Sequence, residues 1–143
     1  MQVASHFAVL ENAMKKPSFS RLAATVGLAA LLAACGAMTM QTAPATMADG
    51  VWVGPNGMTL YTFDRDTMGS GKSVCNGPCA TSWPPLMASA SDGASGEWTI
   101  VVRDDGSRQW AFRGKPVYYW ARDAKPGDRT GEGVNNVWHL ARP

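Results

Sequence analysis

Few side chains in this chain could do chemistry, and most of those occur in pairs. Cys75 and Cys79 stand four apart in "CNGPC". Two thiols at that spacing either close a disulfide in an oxidising compartment or shuttle electrons as a dithiol. Asn-Gly-Pro between them supplies a tight turn, which fits a disulfide. Thioredoxin-like redox sites use Cys-x-x-Cys in a βαβ setting, whereas here Cys-x-x-x-Cys lies among strands. The second pair is longer. "LYTFDRD", residues 60–66, returns 57 positions later as "VYYWARD", residues 117–123. Tyr61 matches Tyr118, Phe63 matches Trp120, Arg65 matches Arg122 and Asp66 matches Asp123. A hydroxyl, an aromatic ring and a carboxylate brought together twice could be scaffold, a binding surface or a catalytic site.

Each reading makes different demands. In a strand, residues two apart face the same side, so Tyr61 joins Phe63 on one face and Tyr118 joins Trp120. As scaffold, these rings fill a core and each hydroxyl finds one polar partner. Asp66 stands three before Gly69 in "DTMG", matching a type I turn whose backbone N–H groups its carboxylate would accept. In "DAKPG" the glycine falls one residue later, behind Pro126, so the turn after Asp123 must differ. Catalysis lacks partners. His139 is the one histidine after the leader, so neither a Ser-His-Asp constellation nor a zinc ligand set is in view. If Trp138 faces the core, His139 faces solvent. Asp64, Asp66, Asp104, Asp105 and Asp128 lack the alternation of a calcium loop, and there is no haem-attachment or phosphate-binding motif. The sequence therefore predicts no enzyme activity, no cofactor and no metal.

The elements that must position these groups read as β. "VWVGPNGMTLYTF" holds two β-rich runs around Gly-Pro-Asn-Gly. "WTIVVRDDGSRQWAF" turns at Asp105-Gly106, and "RQWAFRGKPVYYWARD" at Gly114-Lys115-Pro116. "NVWHLARP" reads as a last strand. A single helical turn near Ala80 to Trp83 is the most helix the pattern allows. The repeat extends beyond the motif: Trp52, Gly57, Tyr61, Phe63, Asp66 and Trp98 are expected to match Trp110, Gly114, Tyr118, Trp120, Asp123 and Trp138. An isolated hairpin is marginal in water, so the two units must pack together. The prediction is an all-β, mostly antiparallel domain over residues 50–143, with repeat one at about 50–100 and repeat two at about 108–143.

The first third differs in kind. "LAATVGLAALLAAC", residues 22–35, carries no charge and follows Lys15, Lys16 and Arg21. A basic segment, a short apolar run and small residues make a signal peptide over residues 1–34, and Met14 would itself make a normal start. The run is too short for a transmembrane helix. "LAAC" resembles the lipobox of bacterial lipoproteins, which implies cleavage before Cys35 and its lipidation; the other reading is an ordinary signal peptide with an incidental thiol. Residues 35–49 then form the lipidated cysteine and a flexible tether. From Cys35 onward the chain has ten basic and ten acidic residues, which leaves no basic patch for nucleic acid. All six tryptophans lie in that part, enough aromatic area for a core.

Two motif copies with "CNGPCATSWPPL" and "DGSRQWAFRGKPVYYW" resemble a bacterial family of secreted-repeat predicted lipoproteins with a Yx(F/W/Y)xxD motif. The resemblance implies an exported or lipid-anchored protein and brings no established activity. The resulting expectation is a lipid-anchored envelope module, non-enzymatic, that binds or supports an envelope protein or small ligand. In a Gram-negative host it would sit on the outer membrane facing the periplasm, held by its lipid. A redox or electron-transfer accessory is the alternative.

Overall fold

The computed structural model describes residues 42–143. Cys35, the leader and the start of the tether lie outside the described residues. β1 (Thr46–Ala48) and β2 (Val51–Val53) form a hairpin with Ala48 opposite Val51. Its turn is Asp49-Gly50, both with positive φ, 47° and 77°, the geometry that a two-residue hairpin requires. Residues 46–48, expected within the tether, are thus a strand, and Ala45 before them is buried. Asp-Gly was the signal for it.

β3 (Tyr61–Phe63), β4 (Trp98–Val102), β5 (Arg108–Phe112), β6 (Lys115–Tyr118) and β7 (Trp138–Leu140) form an antiparallel sheet in the order β4-β5-β6-β3-β7. The one α-helix among the described residues is α1 (Pro78–Ser82), and a 3₁₀ turn lies at Val134–Asn136. The fold is all-β, as the alternation predicts. One turn shifts. Phe112 pairs with Lys115, so the β5–β6 turn is Arg113-Gly114 and Pro116 falls inside a strand. Arg113 and Gly114 both have positive φ, again the two-residue turn.

The centre of the molecule is Tyr61 opposite Tyr118, where β3 meets β6. Contacts on either side of that pair match one for one. Trp52 N–H donates to the Ala141 carbonyl at 2.9 Å, and Trp110 N–H to the Leu86 carbonyl at 2.8 Å. Ala141 N–H reaches the Leu60 carbonyl, and Leu86 N–H the Val117 carbonyl. Leu140 bridges to Tyr61 as Pro85 does to Tyr118. Each repeat therefore lends its last segment to the hairpin of the other. The segment around Leu86 wedges between β5 and β6, and the segment around Ala141 wedges between β2 and β3. This exchange corrects the repeat alignment: the counterpart of Trp138 is Trp83, and Trp98 stands outside the first unit.

Side-chain alternation sends the strands into two cores. Leu60 and Val117 join Trp98, Trp110 and Phe112 on one side. Tyr61 and Tyr118 join Phe63, Trp83, Trp138 and Cys75 on the other.

Candidate functional site

The motif residues meet across the repeats. The Tyr61 hydroxyl donates to Oδ2 of Asp123 at 2.7 Å, and the Tyr118 hydroxyl donates to Oδ2 of Asp66 at 2.5 Å. Each tyrosine thus serves the aspartate of the other copy. The second oxygens close the loops that follow. Oδ1 of Asp66 accepts from Val74 N–H, and Oδ1 of Asp123 accepts from both Thr130 N–H and its hydroxyl. The predicted hold of Asp66 on a turn at Gly69 is not found. Asp66 instead ends the turn that starts at Phe63, as Asp123 ends the one from Trp120. A buried carboxylate needs hydrogen-bond donors, and the Tyr118 hydroxyl and Val74 N–H supply them from outside that turn.

Tyr61 and Tyr118 are wholly buried, and Asp66 is 1% exposed. Burial, then the hydrogen bond to Asp123, pushes the Tyr61 hydroxyl well above the ordinary tyrosine value. Burial, then Asp66, does the same to Tyr118. Burial also raises the Asp66 carboxyl, against the hydrogen bonds from Tyr118 and Val74 that pull it down. The protons stay on the tyrosines, and both pairs are internally satisfied.

Arg103, which the sequence reading did not single out, completes the Asp66 side. It is 4% exposed. Nη1 donates to Ser73 Oγ at 3.0 Å and to Gln109 Oε1 at 2.6 Å, and Nη2 donates to the Cys75 carbonyl at 2.6 Å. Ser73 passes the contact on to the Tyr118 hydroxyl, 2.7 Å away. Guanidinium and carboxylate are thus joined through two hydroxyls. Nothing local to "VVRDDG" distinguishes Arg103 from a solvated turn arginine. Cys75 and Cys79 stand at disulfide distance, 1.99 Å, and Arg103 ties their loop to the sheet.

Above the tyrosines runs a column of four rings. Phe63 stacks on Trp138 at 4.2 Å, Trp138 on Trp83 at 3.8 Å and Trp83 on Trp120 at 4.0 Å. The motif's aromatic residues form the two ends. Strand β6 stops at Tyr118, so Trp120 leaves the sheet and is only half-buried, unlike Phe63. Gly131 packs where the column meets Tyr61: a Cβ there would lie 2.9 Å from both Trp83 and Tyr61. His139 is on the surface as its strand position predicts, with Nε2 3.0 Å from Asp64 Oδ2.

Two grooves flank the column. One, about 550 Å³, is lined by Trp120, Arg122, Thr130, Val134 and Asn135. The other, about 430 Å³, is floored by Phe63, Trp83 and Trp138 and rimmed by Arg65, Cys79 and Asn135. Each motif copy thus contributes its ring and its arginine to one groove. Arg122 lies over its own Trp120 ring at 5.5 Å, while Arg65 has no ion-pair or hydrogen-bond partner for its guanidinium among the described residues.

A family model described as a secreted repeat of unknown function matches the chain twice, over residues 43–87 and 99–142. The first match begins before β1 and ends after Leu86, and so contains the hairpin and the exchanged segment seen in the structure. No curated protein and no solved structure matches the chain. Membership points to an exported protein. The chain therefore belongs to the lipoprotein family described as a secreted repeat of unknown function, and it carries two copies of that repeat.

Proposed function

We propose that the protein is a non-enzymatic binding module of the bacterial envelope, anchored through lipid on Cys35. In a Gram-negative host it stands on the outer membrane facing the periplasm. One observation carries the binding role. Both motif copies spend their tyrosine and aspartate on each other inside the core, and leave their arginine beside an open groove. The buried groups serve the scaffold, and the surface groups are the ones available to a partner. The lipid anchor rests on the lipobox-like "LAAC". Cys35→Ser is expected to abolish lipid labelling and processing at that site; an unlipidated wild-type protein with a free Cys35 rejects the anchor.

The binding role is tested by placing a photo-cross-linking residue at Asn135, where the two grooves meet, in growing cells. A discrete adduct that disappears in the folded variant Arg65→Gln or Arg122→Gln supports it. Absence of any specific adduct at Asn135 and at the neighbouring Val134 and Val137 rejects it. A second reading, an electron-transfer accessory, is favoured by the ring column lying against two tyrosine–carboxylate pairs. Tyr61 packs edge-on to Trp83 at 5.4 Å and Tyr118 edge-on to Trp138 at 5.1 Å. A visible chromophore or a stoichiometric metal in protein purified from its native host would move the conclusion to that reading.

A further inference from the structure

The groove beside Arg65 differs from its counterpart in what it presents. Both faces of Trp138 are covered, by Phe63 and by Trp83, and both faces of Trp83 by Trp138 and Trp120. The groove therefore meets the edges of these indoles. The edge of an aromatic ring is the positive part of its quadrupole, and it prefers the face of another ring. The Arg65 guanidinium adds an unpaired positive charge at the rim, since no ion pair or hydrogen bond engages it among the described residues. Asn135, which lines this groove, and Asn136 after it both hold left-handed backbone, with φ of 52° and 57°. Consecutive non-glycine residues in that region are uncommon, and such backbone clusters at ligand clamps. A volume of about 430 Å³ lies within the range of small-molecule sites. In the counterpart groove the Arg122 guanidinium, likewise without an ion pair or hydrogen bond among the described residues, lies over the Trp120 ring at 5.5 Å, and Trp120 is the one indole in that lining.

We infer that the Arg65 groove binds a small planar aromatic anion. Its ring face lies against the indole edges of Trp83 and Trp138, and its acid group accepts from the Arg65 guanidinium. This ligand class rests on the binding-module reading above and gives it a chemistry. Arginine supplies the planar, bidentate donor that a carboxylate fits.

The test uses the full ¹⁵N-labelled chain in zwitterionic detergent, with the indole N–H signals of its six tryptophans as reporters. The probe is 2-naphthoate. It is expected to shift the Trp83 and Trp138 signals saturably. Arg65→Gln should weaken binding about tenfold or more, the loss expected for a charge-assisted hydrogen bond. Arg122→Gln should leave it within about twofold, since that guanidinium serves the other groove. The neutral analogue 2-naphthalenemethanol should bind about tenfold more weakly than the acid. Equal binding of acid and alcohol, shifts centred on Trp120, or no saturable shift would overturn the inference. Unmoved signals for the remaining indoles in Arg65→Gln show that the variant is folded. The cross-linking at Asn135 separates the two levels: a specific cellular partner without naphthoate binding removes the ligand class and leaves the binding module standing, whereas failure of both removes both.

Discussion

The Tyr118–Asp66 and Tyr61–Asp123 pairs have the same parts, and they are finished in different ways. Around Asp66 the fold brings in a cation. Arg103 reaches Tyr118 through Ser73 and pins the Cys75 carbonyl on the way. Around Asp123 no cation is hydrogen-bonded to the pair among the described residues; Thr130 closes the carboxylate with two donors, and Gly131 N–H reaches the Tyr61 hydroxyl at 3.3 Å. Asp123 is also nearer solvent, 9% exposed against 1% for Asp66. The repeated requirement is a carboxylate satisfied by a tyrosine from across the sheet. How the remaining donors arrive is free to vary, because a hydroxyl, an amide and a guanidinium can each meet the same need.

The equivalence is broken or upheld most forcefully at the column. Trp83→Ala and Trp138→Ala each remove a buried central ring and should each cost about 3–5 kcal/mol in urea unfolding, with Trp120→Ala costing clearly less because that ring is half-buried. A large difference between Trp83 and Trp138 would show that they are not equivalent. Arg103→Met tests what is peculiar to the Asp66 side. It strands the Ser73, Gln109 and Cys75 acceptors and should cost about 3 kcal/mol; a neutral outcome would make the cation incidental. Next is the disulfide loop that Arg103 holds. Replacing Cys75 and Cys79 together with Ala should lower stability by about 2 kcal/mol and leave the fold intact.

Alkaline pH probes both pairs at once. Each tyrosine keeps its proton in the folded state above the ordinary value, so its contribution is complete below about pH 10 and is lost as pH rises from there toward the folded-state value. Within that window stability should fall by about 1.4 kcal/mol per pH unit for each tyrosine, as followed by unfolding at fixed urea. Tyr61→Phe and Tyr118→Phe should each remove their share of that slope. The finest test compares those two variants at neutral pH. Tyr118→Phe leaves Asp66 and Ser73 short of partners deeper in the core, and should cost about 1 kcal/mol more than Tyr61→Phe. Equal losses would mean that the Arg103 network compensates for the deeper site.

Much of the strand pattern was legible locally. β4 with β5, β3 after the Gly-Pro-Asn-Gly turn, and β7 all lie where alternation and turn residues put them. The Asp49-Gly50 hairpin was legible too, but its first strand hid in residues that read as tether. The burial of Tyr61, Phe63 and Tyr118 followed from a hydrophobic strand face that recurs. Trp120 did not follow, because the chain leaves the sheet just before it, and alternation holds only within a strand.

By itself the sequence determined that two β units would be built alike, since strand faces and two-residue turns are set by near neighbours in the chain. It also marked the cysteines at 75 and 79 as partners, because four residues bring two sulfurs within reach. Only the tertiary structure decided that each unit would lend its last segment to the other, that Trp83 and not Trp98 would answer Trp138, and that each tyrosine would serve the far aspartate. The two tyrosine–aspartate pairings alone join residues 62 and 52 positions apart, and nothing local distinguishes a hydrogen bond within a repeat from one across it. The exchange wins because a lone hairpin leaves its ladder and one aromatic face open to water, and the neighbouring repeat is the surface of matching shape that covers both.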